Sequence, residues 1–150
     1  MQNPVARGKF GRLPLHVACK MNDTTTVEQL LLVPDAVEKI NERTDHGFTA
    51  LYVACQFGCS NLVSTLVDNG ADLHVSDNGG LSPMHIAARN GHLEVVQVLL
   101  ELGGNPNQLD SIQWSPLHWA FKSGASNVVE LMSQHVTDEI KADACKKWKK

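Results

Sequence analysis

The chain has 150 residues, 43% hydrophobic and 19% charged, which supplies enough apolar side chains for one packed domain and excludes intrinsic disorder. Only 5% are aromatic, so Leu, Val, Ile and Ala must build the core. The formal charge of −3 is unevenly spread: residues 1–20 carry four bases and no acid, residues 137–150 carry five lysines against three acids, and between them four bases face thirteen acids. An acidic body between basic ends lacks the contiguous basic face that nucleic acid requires.

No apolar run approaches the roughly 20 residues of a membrane span, and Met1 to Arg12 contains no apolar h-region of a secretory signal. Cys19, Cys55, Cys59 and Cys145 have neither a zinc spacing nor the density of a disulfide framework. A reducing, intracellular setting is expected, cytoplasmic or nuclear.

Taken in chain order, four segments repeat one plan. The first opens on Leu13-Pro14-Leu15-His16, continues through Ala18 and Asn22, and closes on an apolar run, Val27-Leu30-Leu31. The second runs Thr49-Ala50-Leu51-Tyr52, Ala54, Gly58, then Leu62-Val63-Leu66, and ends in Gly70-Ala71-Asp72-Leu73-His74. The third is the most complete: Ser82-Pro83-Met84-His85, Ala87, Gly91, Val95-Val96-Leu99-Leu100 and Gly103-Gly104-Asn105-Pro106-Asn107. The fourth reads Ser115-Pro116-Leu117-His118, Ala120, Gly124 and Val128-Val129-Leu131-Met132. Their starts lie 36, 33 and 33 residues apart.

The residue types predict two helices per unit. A Ser or Thr before the first helix accepts bonds from unpaired N–H groups. Pro in the first helical position loses nothing by lacking its own N–H. The recurring Ala lets two helices approach, and Gly58, Gly91 and Gly124 supply the left-handed conformation that ends a helix. Departures fall mainly in the outer units: Leu13 replaces the capping hydroxyl, Asn22 the helix-ending Gly and Gln113 the turn Gly. Three extra residues fall within Pro34–Lys39. Beyond Val136 the plan stops. Thr137, Asp138 and Glu139 predict the start of a short helix with Ile140, Ala144 and Trp148 on one face, docked on the fourth unit; a frayed basic tail is the alternative.

A 33-residue period carrying this motif resembles the ankyrin repeat family over about residues 8–136. The resemblance implies an all-α solenoid of stacked helix-turn-helix units with projecting β-turn or hairpin loops. It divides one ankyrin-repeat domain, residues 1–150, into repeats at about 8–45, 46–78, 79–111 and 112–136, with 137–150 as a capping helix or tail. It also implies that His16, His85 and His118 bridge backbone groups of neighbouring turns. His46, His74, His92 and His135 have no partner at ligand spacing, and no metalloprotease, nucleophile-elbow or phosphate-loop motif is present. Neither catalysis nor a cofactor or metal is expected. Cys19 and Cys55 align with the small Ala88 and read as packing residues, Cys59 aligns with His92 and reads as partly exposed, and Trp119 aligns with Val17, Val53 and Ile86 and reads as core.

Ankyrin-like stacks bind protein partners in a concave groove formed by the turns and the exposed side of each first helix. By register the turns contribute Phe10, His46, Gly79 and Ile112, and then Arg12, Phe48, Leu81 and Trp114. The first helices contribute Lys20-Met21, Gln56-Phe57, Arg89-Asn90 and Lys122-Ser123. The expected site is an apolar stripe of Phe48, Phe57, Leu81, Ile112 and Trp114 flanked by Lys20, Arg89 and Lys122. Its partner would be a protein or peptide segment with apolar anchors and acidic residues, bound by a monomer. Two other functions stay open: a regulatory domain belonging to a larger enzyme or channel, and nucleic-acid or membrane-surface binding through Lys146-Lys147-Trp148-Lys149-Lys150. Asn41 and Asn107, with His74 in register, stand where some family members are hydroxylated.

Overall fold

The computed structural model describes residues 13–148. Among them ten helices follow in chain order: α1 (Pro14–Lys20), α2 (Thr24–Leu31), α3 (Pro34–Glu38), α4 (Ala50–Gln56), α5 (Ser60–Asp68), α6 (Pro83–Arg89), α7 (Leu93–Glu101), α8 (Pro116–Ser123), α9 (Ser126–Ser133) and α10 (Asp138–Trp148). No strand forms among the described residues. The pairs α1–α2, α4–α5, α6–α7 and α8–α9 are the helix-turn-helix units. Their first helices stack side by side in the order α1, α4, α6, α8, and the second helices α5, α7 and α9 form a parallel layer behind them.

Each first helix starts from a residue in extended conformation: Leu13, Thr49, Ser82 and Ser115. Thr49 Oγ1 accepts the Tyr52 N–H at 3.0 Å, and Ser82 Oγ accepts the His85 N–H at 3.3 Å. In three units the histidine accepts from the backbone of the capping residue, and at Ser82 the two bonds are reciprocal. The backbone N–H groups of Leu13, Ser82 and Ser115 donate to Nδ1 of His16, His85 and His118 at 3.3, 3.1 and 3.0 Å. At Ser82 this completes a capping box with imidazole in place of the usual Glu or Gln, and at Leu13 and Ser115 the histidine supplies its half of that arrangement. It also fixes chemistry at a distance, because a neutral ring whose Nδ1 accepts must carry its proton on Nε2.

The two substitutions for glycine keep glycine's backbone. Asn22 has φ 51° where Gly58, Gly91 and Gly124 have 74°, 72° and 75°, and Gln113 has φ 64° where Gly47 and Gly80 have 87° and 81°. A left-handed residue other than glycine costs about 1–2 kcal/mol, eased for Asn by its short polar side chain.

The core is continuous along the stack. Ala54, Ala87 and Ala120 are fully buried between first and second helices, beside Leu51, Leu62, Leu66, Val95, Val96, Leu99, Leu117, Val128 and Met132. Burying one such Leu or Val contributes about 1.5–3 kcal/mol, so no unit could hold its shape without its neighbours. The longer first spacing is taken up by α3, which buries Ala36. At the other end α10 packs on α8, as the next first helix would. Ala144 is buried against it and Ile140 is half-buried, whereas Trp148 stays 51% exposed and uses little of the expected face.

Candidate functional site

The turns between units are built on one frame. At positions 33 residues apart, Thr44, Asp77 and Asp110 each close a turn on the residue four further along. Their N–H groups donate to the carbonyls of Phe48, Leu81 and Trp114 at 2.9, 2.8 and 2.9 Å. Their side chains accept in return: Thr44 Oγ1 from Phe48 N–H at 3.2 Å, Asp77 Oδ1 from Leu81 N–H at 2.9 Å, and Asp110 Oδ1 from Trp114 N–H at 2.9 Å. Asp77 Oδ1 and Asp110 Oδ1 also take the N–H of Gly79 and Ile112. Neighbouring turns are laced together, Asn78 Nδ2 donating to the Asp45 carbonyl at 2.9 Å and Ser111 Oγ to that of Gly79 at 2.6 Å.

The first helices pin this frame. His16 Nε2 reaches the Phe48 carbonyl at 2.9 Å and His85 Nε2 the Trp114 carbonyl at 2.9 Å, while Tyr52 donates its hydroxyl to Asp77 Oδ2 at 2.8 Å. Burial holds the His85 imidazole below its usual range and, with Asp77 beside it, pushes the Tyr52 phenol up. Both therefore act as neutral donors. The fourth unit has no following turn, and His118 Nε2 instead lies 2.8 Å from Asp143 Oδ2 on α10. Lys147, then His118, hold the Asp143 carboxyl below its usual range.

Four residues beyond each of these pins stands a second column: Lys20, Gln56, Arg89 and Lys122. The three cations are exposed and Gln56 is half-buried, its carbonyl accepting from Asn90 Nδ2 and His92 Nε2. Phe57 is 48% exposed and Ile112 57% exposed. Lys20 Nζ lies 5.8 Å from the Phe57 ring centroid, so these two expected residues meet. Arg89, Lys122 and Trp114 are also brought together. By contrast, Phe48 is half-buried and stacks flat on Tyr52, with ring centroids 4.6 Å apart, and half-buried Leu81 packs against the core. Phe10 and Arg12 lie outside the described residues.

Trp119 departs from its reading as core. Its indole is half-buried, 5.0 Å from Trp114, and donates Nε1–H to Asp110 Oδ2 at 2.7 Å. Arg89 Cζ sits 5.2 Å from its ring centroid and Lys122 Nζ 5.1 Å, with Lys122 also 5.5 Å from Trp114. The positions equivalent to Trp119 hold small aliphatic side chains, of which Val53 and Ile86 are buried. An indole overfills that space and is directed out over the turn. Lys122 three residues later on the same helix was the one sequence signal of that contact. Arg89, Asn90, Trp119, Lys122 and Ser123 line a notch of about 240 Å³.

Cys59 is buried, contrary to its reading as partly exposed, with its thiol 3.5 Å from the Cys19 carbonyl. Burial pushes the Cys19 thiol up to about 12, and raises Cys55 and Cys59 as well. Protonated thiols are poor nucleophiles. Asn41 clasps the next loop, donating to the Gly70 carbonyl at 3.0 Å and accepting the Asp72 N–H at 2.7 Å. Asn107 accepts the Thr137 N–H at 3.0 Å, and His74 is exposed. No group of three His, Cys, Asp or Glu among the described residues could hold a metal ion, and no helix there is long and apolar enough to cross a membrane.

The family described as "Ankyrin repeats (3 copies)" matches residues 1–77 and 61–144. Among curated proteins, tyrosine-protein kinase HTK16 of Hydra vulgaris is 36% identical over 66 residues, 44% of this chain and 9% of that protein. The B-cell lymphoma 3 protein homolog of Mus musculus is 31% identical over 76 residues, 50% of this chain and 17% of that protein. The corresponding Homo sapiens protein is 32% identical over 77 residues, again 50% of this chain and 17% of that protein. The matches thus span under a fifth of each relative's length. The chain belongs to the ankyrin repeat family, whose repeats generally serve as protein-interaction modules.

Proposed function

We propose that this chain is a non-catalytic protein-interaction module, a scaffold, adaptor or regulatory unit that holds a partner segment along the surface shared by its turns and first helices. The observation that carries the reading is the exposure of Phe57 and Ile112 on the same stack that carries the half-buried aromatic pair Trp114 and Trp119. Large apolar and aromatic side chains left in water on a rigid frame are the kind that concentrate interface energy, with losses of about 2 kcal/mol or more on truncation. The frame supports this role because hydrogen bonds and buried packing hold the turn backbones before any partner arrives, which lowers the cost of ordering them on binding. Phe48 and Leu81 contribute mainly by supporting the turns.

The test is a pull-down from source-cell lysate comparing wild type with a Phe57→Ala, Ile112→Ala double variant of matched thermal midpoint. A protein recovered by wild type and lost from the variant is the expected result. Equal recovery of the same proteins by both would overturn the placement.

A second reading is favoured by the Hydra relative: its name is that of a tyrosine-protein kinase, and the matched segment is 9% of it. On that reading the same surface serves a larger protein as its regulatory or targeting domain. The basic C-terminal segment gains less support, since Lys147 is engaged by Asp143 at 2.9 Å.

A further inference from the structure

We infer that the notch between α6 and α8 is an anion subsite, and that the partner segment seats one carboxylate side chain between Arg89 and Lys122 against Trp119. The inference rests on the groove reading above and adds the chemistry and register of one contact within it.

Arg89 and Lys122 belong to consecutive first helices, one repeat apart, yet they do not keep that separation at their tips. Both charged groups converge on a single ring, each at about 5 Å from the centroid of Trp119. Like charges brought together repel, and here a shared aromatic face holds them through its quadrupole. Among the described residues the ion pairs are His118–Asp143 and Lys147–Asp143, so neither Arg89 nor Lys122 is matched by a carboxylate. The acids bonded around them cannot turn to them without cost: Asp77 holds the Tyr52 hydroxyl and the N–H groups of Gly79 and Leu81. Asp110 is buried, its Oδ1 takes two turn N–H groups and its Oδ2 takes the Trp119 indole. Of the other polar groups lining the notch, Asn90 Nδ2 donates to the Gln56 carbonyl and Ser123 Oγ to the carbonyls of Trp119 and Ala120, and none of them carries a negative charge. What the notch presents is therefore two unmatched cations on a fixed indole.

That geometry selects its ligand. A cationic partner side chain meets repulsion from both sides. A neutral one would leave the two charges without a counter-charge. A carboxylate receives charge-assisted hydrogen bonds from the guanidinium fork and the ammonium together. Exposed apolar residues stand in the flanking parts of the stack, Phe57 at the C-terminal cap of α4 and Ile112 in the turn before α8, so the acid should sit within a short apolar segment. First helices stack about 8–10 Å apart, the length of about three residues of extended chain. The seat between α6 and α8 lies about one and a half such spacings from α4, so the acid is expected about four residues from the apolar side chain that meets Phe57.

The test is selection of a displayed random dodecapeptide library on three proteins: wild type, an Arg89→Gln, Lys122→Gln variant, and a Phe57→Ala, Ile112→Ala variant. All the changed side chains are exposed, and unchanged thermal midpoints verify the folds. The expected result is wild-type binders with Glu or Asp at a fixed offset from an apolar residue. Synthetic copies should lose about tenfold in affinity on Glu→Gln in the peptide or on Arg89→Gln, Lys122→Gln in the protein, and the two losses should not add. Binders that need Phe57 and Ile112 but show no acidic preference would overturn the anion subsite and leave the groove reading standing. Binders indifferent to both variants, or no enrichment at all, would overturn both.

Discussion

Two joints of this stack begin from the same sequence, Ser-Pro-x-His, and end on different chemistry. At residues 82–85 and 115–118 the local structure is the same: the Ser N–H donates to Nδ1 of the histidine, the ring is buried, and Nε2 points out of the helix. Beyond that atom the two diverge. His85 meets the Trp114 carbonyl of a complete turn, while His118 meets a half-exposed Asp143 carboxylate on a helix that stands where a fifth unit would begin. A motif therefore specifies its own geometry and the direction of its free donor, but the acceptor is set by what the chain does next. One joint is a neutral bond to backbone, insensitive to salt. The other is charged and reachable by water.

The sharpest way to test that contrast is to remove each ring. His85→Ala leaves the buried Ser82 N–H without its partner and takes from the Trp114 carbonyl one of its two donors, the Asp110 N–H remaining, and is expected to lower unfolding free energy by about 2 kcal/mol at roughly 1–3 kcal/mol per buried unsatisfied group. His118→Ala should cost about 1 kcal/mol less, because Asp143 keeps Lys147 and water. Urea unfolding of both variants checks this, and a larger loss for His118→Ala would break the comparison.

A smaller effect comes from acid. His85 protonates less readily when folded than when unfolded, so its contribution is fully present above an unfolded value of about 6.5 and is lost as pH falls through the lower folded one. Urea midpoints should fall between pH 7.5 and 5.5, and fall less in His85→Gln. Equal falls would remove His85 from the account.

Smallest of all is Asp143→Asn. The Asp143 carboxyl sits below its usual range, so its contribution is present at neutral pH and fades as pH drops through that lowered value. On an open surface the change should leave the midpoint nearly unmoved while amide exchange in α10 speeds up. Unchanged exchange there would mean that Ala144 packing alone holds the helix.

These contrasts also show how far the sequence could be read. The unit plan was legible because helix caps, left-handed stops and buried alanines are local requirements that leave a fixed residue type at a fixed spacing. Even the substitutions at Asn22 and Gln113 sat where the plan said glycine should be, and both keep a positive φ. The exposed column Lys20, Arg89 and Lys122 followed from the same register. Side-chain volume and direction did not. Trp119 shares a position with Val53 and Ile86, and its size together with its bond to Asp110 sets it against Arg89 and Lys122. Phe48 was legible as a turn residue, but its stacking on Tyr52 depends on a tyrosine replacing the unit's histidine. Cys59 is buried because the neighbouring unit covers it, a contact that no single-repeat alignment records.

The spacing of four between pin and cation has a consequence for how such a molecule can change. In every unit the residue that fastens it to the next (His16, Tyr52, His85, His118) is distinct from the residue offered to the outside (Lys20, Gln56, Arg89, Lys122) on the same short helix. Mutation can rewrite the outer letter without loosening the inner one. A duplicated unit would inherit its fastening intact, and natural variation could then give the new copy a separate recognition role.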